Sequence, residues 1–475
     1  MGAKLSNQDS TILWTSEEIA NAVKGQCGAD FNITGVQIDS RAIEPGDLFI
    51  AIKAERDGHD FAKSALNHGA GGVLISDNEV IGSSQNYVLC DDTMLALESL
   101  GAAARRRALI TKRIAITGSV GKTTVKELTS AALSASGKTH KSVKSYNNHW
   151  GVPLTLSRMP INTRYGVFEI GMNHTGEIAL LSPQVKPHIA AITTVAPVHI
   201  EHFGTIEAIA DAKAEIFLGI ENGGYALIPN ENPMSKRLKQ RASDIDNLNI
   251  VTFGMKQNAD AKITRLIDNG DYRIIHADIM GKNIEWRVSE PGDHWIHNGL
   301  CAITLVHLAG GDLEAAASVL SNFGALEGRG AVKTITTKDG VEFSLVDEAY
   351  NANPTSVAAA LRTLANRHGR RKIAVLGDML ELGDKENEYH AELIDAVLKS
   401  NVDLVFLAGS RMKYLWDLLP ANKRGNFAYN SKELLPRVLE SVQSGDCIMV
   451  KGSNGSHMNV IVAGLANLKN DSLKN

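Results

Sequence analysis

The stretch "RIAITGSVGKTTVKEL", residues 113–128, constrains the fold of this chain more than any other. An apolar run meets Gly-Ser-Val-Gly-Lys-Thr-Thr, and a helical pattern follows. The spacing predicts a strand over 113–117 and a helix opening near Lys122. The loop between them then aims backbone N–H groups and a helix N-terminus at one point, an anion nest suited to nucleotide phosphates. Gly118 and Gly121 permit close backbone approach, Ser119 and Thr124 complete the loop, Lys122 reaches the outer phosphates, and the Thr123 hydroxyl can bind Mg²⁺. The full phosphate-loop spacing places one more glycine where Ile116 stands, so this is a shorter Gly-x-x-Gly-Lys-Thr form, with an ordinary glycine turn as the alternative.

Such a unit belongs to a parallel sheet, and 475 residues is too long for one core; about three domains is the expectation. Residues 1–106 hold short alternating strands and turns such as "GVQIDSRAIEPGDLFIAI", then a helical stretch. Residues 107–325 start with the phosphate loop and alternate strands with helices, turning β-rich between about 222 and 292, where "DYRIIHADI" and "NIEWRVSE" alternate with period two. Residues 326–475, after the small-residue linker "EGRGA", alternate "FSLVDEAY", "KIAVLGDM", "VDLVFLAG" and "DCIMVKGS" with helices and lack a phosphate-loop lysine. The expected fold is α/β in three domains: a small α/β N-terminal domain, a central P-loop mononucleotide-binding parallel-sheet domain with a β-rich part, and a Rossmann-like C-terminal domain.

A net charge of −4 without a long basic run argues against nucleic acid or an anionic membrane as partner. No stretch reads as a signal peptide or membrane span, although "MGAKLS" fits the loose myristoylation pattern. Cys27, Cys90, Cys301 and Cys447 lie far apart without a CxxC pair, which excludes a zinc ribbon and fits a reducing cytoplasm.

Ligands of open α/β sheets gather at the carboxyl ends of strands. "YGVFEIGM" brings Glu169 there, and "HIAAITTVAPVHIEHFG" brings His199. By residue type alone Glu169 is a metal carboxylate or a strand-end acid in solvent or a salt bridge, and a loop histidine is more often structural. Lys213, in the helical "TIEAIADAKAEIF", reads as a solvated or salt-bridged lysine. Asn298 could cap a helix or read adenine, Arg329 is a linker arginine or a phosphate neutraliser, and Asp347 is a loop cap or a ribose ligand.

Taken in order, "DSR" with "PGDLFIA" (39–51), "TGSVGKTT" (117–124), "NNHWGVP" (147–153), "EIGMNHTGEI" (169–178), "HIEHFG" (199–204), "AKAEIF" (212–217), "HNGLCA" (297–302), "GRG" (328–330), "DEAYNANP" (347–354), "LGDMLELG" (376–383) and "VKGSNGSHM" (450–458) resemble the Mur ligase family over nearly the whole chain. The motifs look closest to the branch that joins D-alanyl-D-alanine to UDP-N-acetylmuramoyl-tripeptide in cytoplasmic peptidoglycan synthesis. The Asp-Asn-Pro-Arg of the diaminopimelate-adding branch is absent.

The resemblance implies ATP and Mg²⁺ as cofactors and a monomeric enzyme. It implies that Lys122 holds ATP phosphates, that Thr123, Glu169 and His199 serve magnesium, and that Lys213 is carbamylated into a further ligand. It also implies Asn298 on adenine, Arg329 on the γ-phosphate, and Asp347 on ribose. Asp39, Ser40 and Arg41 fall where the family binds the UDP end of its substrate, and Asn147 and Asn148 help shape the central cleft. Two rivals are a P-loop motor or switch and a non-catalytic UDP-sugar-binding protein. Closure of the third domain is expected to bring Arg329 and Asp347 to the phosphate loop.

Overall fold

The structure, a computed structural model, describes residues 12–143, 145–198 and 200–470. The "MGAKLS" stretch and His199 lie outside these described residues. Three large sheets organise the chain, each with helices packed on it. The first has five strands in the order Gln26–Cys27, Tyr87–Leu89, Gly72–Ile75, Asp47–Ile50, Gly35–Gln37, parallel except for the first pair.

The second sheet has nine strands and carries the phosphate loop. Lys112–Thr117 lies between Ile189–Ile192 and Tyr165–Glu169, and all three run parallel. Their apolar residues are buried on both faces, which explains why "RIAIT" and "YGVFE" read as continuous runs rather than alternations. The helix Lys122–Ser134 packs Val125, Leu128, Ala132 and Leu133 onto one face, with the helix Asp293–Leu308 beside it. The opposite face is covered by Ile178, Leu181, Ile209 and Phe217.

The β-rich stretch extends this same sheet. Ala261–Asp268 pairs parallel with Asn249–Gly254, and Arg273–Ile279 and Lys282–Val288 continue it as an antiparallel meander. Period-two alternation reveals the strands; it carries no information about which sheet they join.

The third sheet has six strands, in the order Ala331–Thr336, Glu342–Glu348, Asp446–Lys451, Arg371–Gly377, Leu404–Ala408, Arg424–Ala428. Only the first pair is antiparallel. Arg424–Ala428, "RGNFA", is a half-buried edge strand with too few apolar residues to announce itself. Glu290, just ahead of the helix Asp293–Leu308, bridges the second and third units: it accepts from Arg367 at 3.3 Å and from the Ala325 N–H at 3.2 Å. No helix among the described residues is long and apolar enough to cross a membrane.

Candidate active site

The loop closes as its glycines require. Gly118 has φ +151° and a Cβ there would lie 1.9 Å from the Thr193 hydroxyl. Gly121, at φ +86°, starts the helix, and its Cβ would meet the Asn298 amide oxygen at 2.7 Å. Thr193 donates to the Val120 carbonyl at 2.6 Å, and Ser119 exchanges hydrogen bonds with the Ala196 backbone, so the strand Ile189–Ile192 and its exit fix the loop from one side. Asn298 sits in the second turn of its helix, whose N-terminus is at Gly292, so it is not the cap. The helix instead presents it to the phosphate loop.

Glu169 closes the site from the other side. It pairs in register with Ile116, at the carboxyl end of the sheet, and only 1% of it is exposed. One carboxylate oxygen accepts from the Thr123 hydroxyl at 2.7 Å, and the other accepts from the Asn147 amide at 2.8 Å. It is not a solvated acid, and the salt-bridge reading holds only in part, since Lys126 lies 3.9 Å away while the two closest partners are neutral donors. A hydroxyl and a carboxylate side by side at a phosphate loop are hard oxygen donors, the set that suits Mg²⁺ completed by phosphate oxygens. Among the described residues no group of three or more His, Cys, Asp or Glu gathers as a metal cage.

Positive charge converges on the same place. Lys122 donates from Nζ to the Gly118 carbonyl at 2.7 Å. Burial pushes its pKa down, Glu169 pulls it back up, and the approach of Arg329 lowers it further. Lys213 is 2% exposed at the end of the helix Ile206–Ala214. Burial, and then the charge of Lys122, hold its pKa well below the ordinary lysine value. The solvated or salt-bridged reading therefore fails: this amine is dry, lies next to another cation, and is biased toward its neutral form.

Arg329 reaches the site from the linker. The Asp347 carboxylate accepts from Gly328 N–H at 3.0 Å and from Ala349 N–H at 3.1 Å, and its carbonyl accepts from Gly330 N–H at 2.7 Å. The turn 328–330 is thus stitched to the end of the strand Glu342–Glu348. Asp39, Ser40 and Arg41 lie apart from this centre, on a short turn of the first unit, where Arg41 forks onto Asp39 at 2.9 and 2.7 Å. Asn148 accepts from Gly151 N–H at 3.0 Å.

Several contributors escaped residue-type reasoning. Lys126, fully buried one turn beyond Lys122, donates to the Ser142 carbonyl at 2.9 Å, pairs with Glu127 at 3.0 Å and lies 3.9 Å from Glu169. Its position on the apolar face with Val125, Leu128 and Thr129 was the available signal. Glu215, two residues after Lys213, accepts from the Gly176 and Ala179 N–H groups at the start of the helix Glu177–Val185, a carboxylate on a positive helix end. Asp211 takes both Arg237 and Arg241 in bidentate pairs at 2.7–2.9 Å, tying the lysine's helix to Ser235–Ser243.

The two arginine forks hold the Asp211 carboxyl well below the usual carboxylate range. A depressed folded pKa contributes stability above the unfolded value of about 4 and loses it as pH falls below. Asp211→Asn should therefore melt lower than the parent at pH 7 by the equivalent of about 1 kcal/mol, since the forks are partly solvated. That gap should narrow as pH is lowered through 4 in paired thermal melts; a gap independent of pH removes the assignment.

A phosphate loop whose threonine meets a strand-end carboxylate, flanked by a dry lysine and a linker arginine, defines a nucleotide-dependent group-transfer site. Profiles of the Mur ligase family match in three segments: its catalytic domain over residues 32–108, the middle domain over 116–306, and the glutamate ligase domain over 332–454. The chain is 34% identical to the UDP-N-acetylmuramoyl-tripeptide–D-alanyl-D-alanine ligase of Bacillus subtilis, over 95% of this chain and 98% of that protein. It is 32% identical to the ligase of the same name from Rickettsia prowazekii, over 95% and 99% of the two chains. The crystal structure of MurF from Acinetobacter baumannii superposes with a TM-score of 0.82 at 29% identity, covering 96% of this chain and 99% of that one. The chain belongs to the Mur ligase family. It is an ATP-dependent ligase.

Proposed function

We propose that this enzyme joins D-alanyl-D-alanine to UDP-N-acetylmuramoyl-tripeptide, giving the UDP-N-acetylmuramoyl-pentapeptide, ADP and phosphate. The observation that carries the chemistry is the Thr123–Glu169 contact at 2.7 Å with Lys122 and Arg329 beside it. A carboxylate is a poor acylating agent because oxide is a hopeless leaving group. Its oxygen attacks the γ-phosphorus of ATP, the bond to the β-phosphate oxygen breaks, and ADP departs. The free amine of the dipeptide then adds to the acyl phosphate carbonyl, loses a proton, and the tetrahedral intermediate expels phosphate.

Lys122 and Arg329 spread the charge of the transferring phosphoryl group. Asn298, which lies against the loop, would contact adenine, and Asp347 would contact the ribose. Thr123, Glu169, His199 and a carbamylated Lys213 would hold magnesium, which supplies charge neutralisation at the phosphates. The carbamate is what the family resemblance implies for Lys213, and burial beside Lys122 supports it: an amine biased toward its neutral form can add its lone pair to CO₂, release a proton and become an anion. Asp39, Ser40 and Arg41 take the UDP end, and Asn147 and Asn148 line the cleft between. The enzyme works as a monomer in the cytoplasm, independent of membrane or nucleic acid.

Phosphate release from ATP with UDP-N-acetylmuramoyl-tripeptide tests this reading. Release should require D-alanyl-D-alanine and should not respond to a free diamino acid. Release without any acceptor would make the protein an NTPase switch or motor, and binding without release would make it a UDP-sugar-binding protein.

A further inference from the structure

Arg329 brings a permanent positive charge toward Lys122, yet among the described residues no carboxylate holds its guanidinium. What holds it is an aromatic face: its guanidinium carbon lies 4.0 Å from the centroid of the Tyr350 ring. The distinction matters chemically. A carboxylate partner would take up the N–H donors and cancel the charge, whereas a ring face fixes the plane of the fork and leaves its edge donors for another acceptor.

The backbone couples the two residues tightly. Tyr350 N–H donates to the Gly328 carbonyl at 3.2 Å, and a Cβ on Gly328, at φ +71°, would lie 3.0 Å from the Tyr350 Cβ. Asp347 pins the same turn through Gly328 and Gly330. Arginine, ring and strand end are therefore tied to one another through the backbone of the third unit.

We propose that Tyr350 is a positioning residue for phosphoryl transfer: its ring holds the Arg329 guanidinium flat and unneutralised, ready for a polyphosphate. The proposal rests on the reading of Arg329 as a phosphate-facing cation. Tyr350 is 39% exposed, so its replacement leaves the core intact. Tyr350→Phe keeps the ring, Tyr350→Leu keeps apolar bulk without it, and each is to be compared with Arg329→Ala and with the double variant Tyr350→Leu/Arg329→Ala.

With ATP and both other substrates saturating, Tyr350→Leu should lower kcat by about 10-fold, within the range of a cation–π contact. Tyr350→Phe should stay within about twofold of the parent, and the melting temperature and the KM for D-alanyl-D-alanine should hold. In the Arg329→Ala background the leucine substitution should add nothing further. Independent, multiplying losses in the double variant, or equal losses for phenylalanine and leucine, would overturn the positioning role while leaving Arg329 in place. An Arg329→Ala enzyme with parental turnover would overturn the arginine reading and the proposal with it.

Discussion

Glu169→Gln should lower turnover by about 100- to 1,000-fold, the loss seen when a single charge-stabilising group is removed from a transfer site. Glutamine has the size of glutamate, so the buried pocket stays filled. What changes is charge and donor count. The carboxylate accepts from Thr123 on one oxygen and from Asn147 on the other. A glutamine can accept on one oxygen only, and its NH₂ must face either the threonine hydroxyl or the asparagine NH₂. The hydroxyl can turn to accept, so folding should survive; the anion that balances Lys122, Lys126 and an incoming cation is gone. Steady-state phosphate release at several Mg²⁺ concentrations, with a thermal melt alongside, checks this. Turnover within about tenfold of the parent at every Mg²⁺ concentration would remove Glu169 from the site.

Only part of the information that builds the site is local in the sequence. "TGSVGKTT" specifies its own geometry, because Gly118 and Gly121 occupy backbone angles and clearances that other residues cannot share. The order of strands and helices is similarly legible from hydrophobic runs. The convergence of Thr123 with Glu169 depends instead on the strand Tyr165–Glu169 lying beside Lys112–Thr117, a pairing between segments about 50 residues apart that no short-range pattern encodes. Lys213 shows the limit most clearly. Its neighbours "IEAIADAKAEIF" describe a surface helix with a basic end, and only the packed structure reveals that the lysine faces inward. Tyr350 was invisible for a related reason: its role exists only relative to a guanidinium held by a turn 21 positions earlier. The family resemblance implies functional roles for Lys213 and Arg329 that local physics leaves open; the structure adds only that one is buried and the other lies over the Tyr350 ring.

Lys213→Met should separate stability from function. The native amine is buried, has Lys122 as its electrostatic neighbour, and has no ion pair among the described residues. Burying a polar group without compensation costs about 1–3 kcal/mol in proteins, and methionine fills a similar volume without that cost. The substituted protein, compared with the parent in CO₂-free buffer without nucleotide, should therefore melt higher, by about 2–4 °C for each kcal/mol regained in a domain of this size. Turnover should move the other way, falling by about 100-fold or more, because a thioether cannot add CO₂ and cannot supply a further anion in addition to Glu169. A carbamate resonance from ¹³C-labelled bicarbonate should appear in the NMR spectrum of the parent and be missing from the variant. A variant that melts lower would mean that the lysine contributes to packing rather than storing strain for function. A variant with parental turnover would mean that the site works without an anion at this position, and the carbamate role would fall.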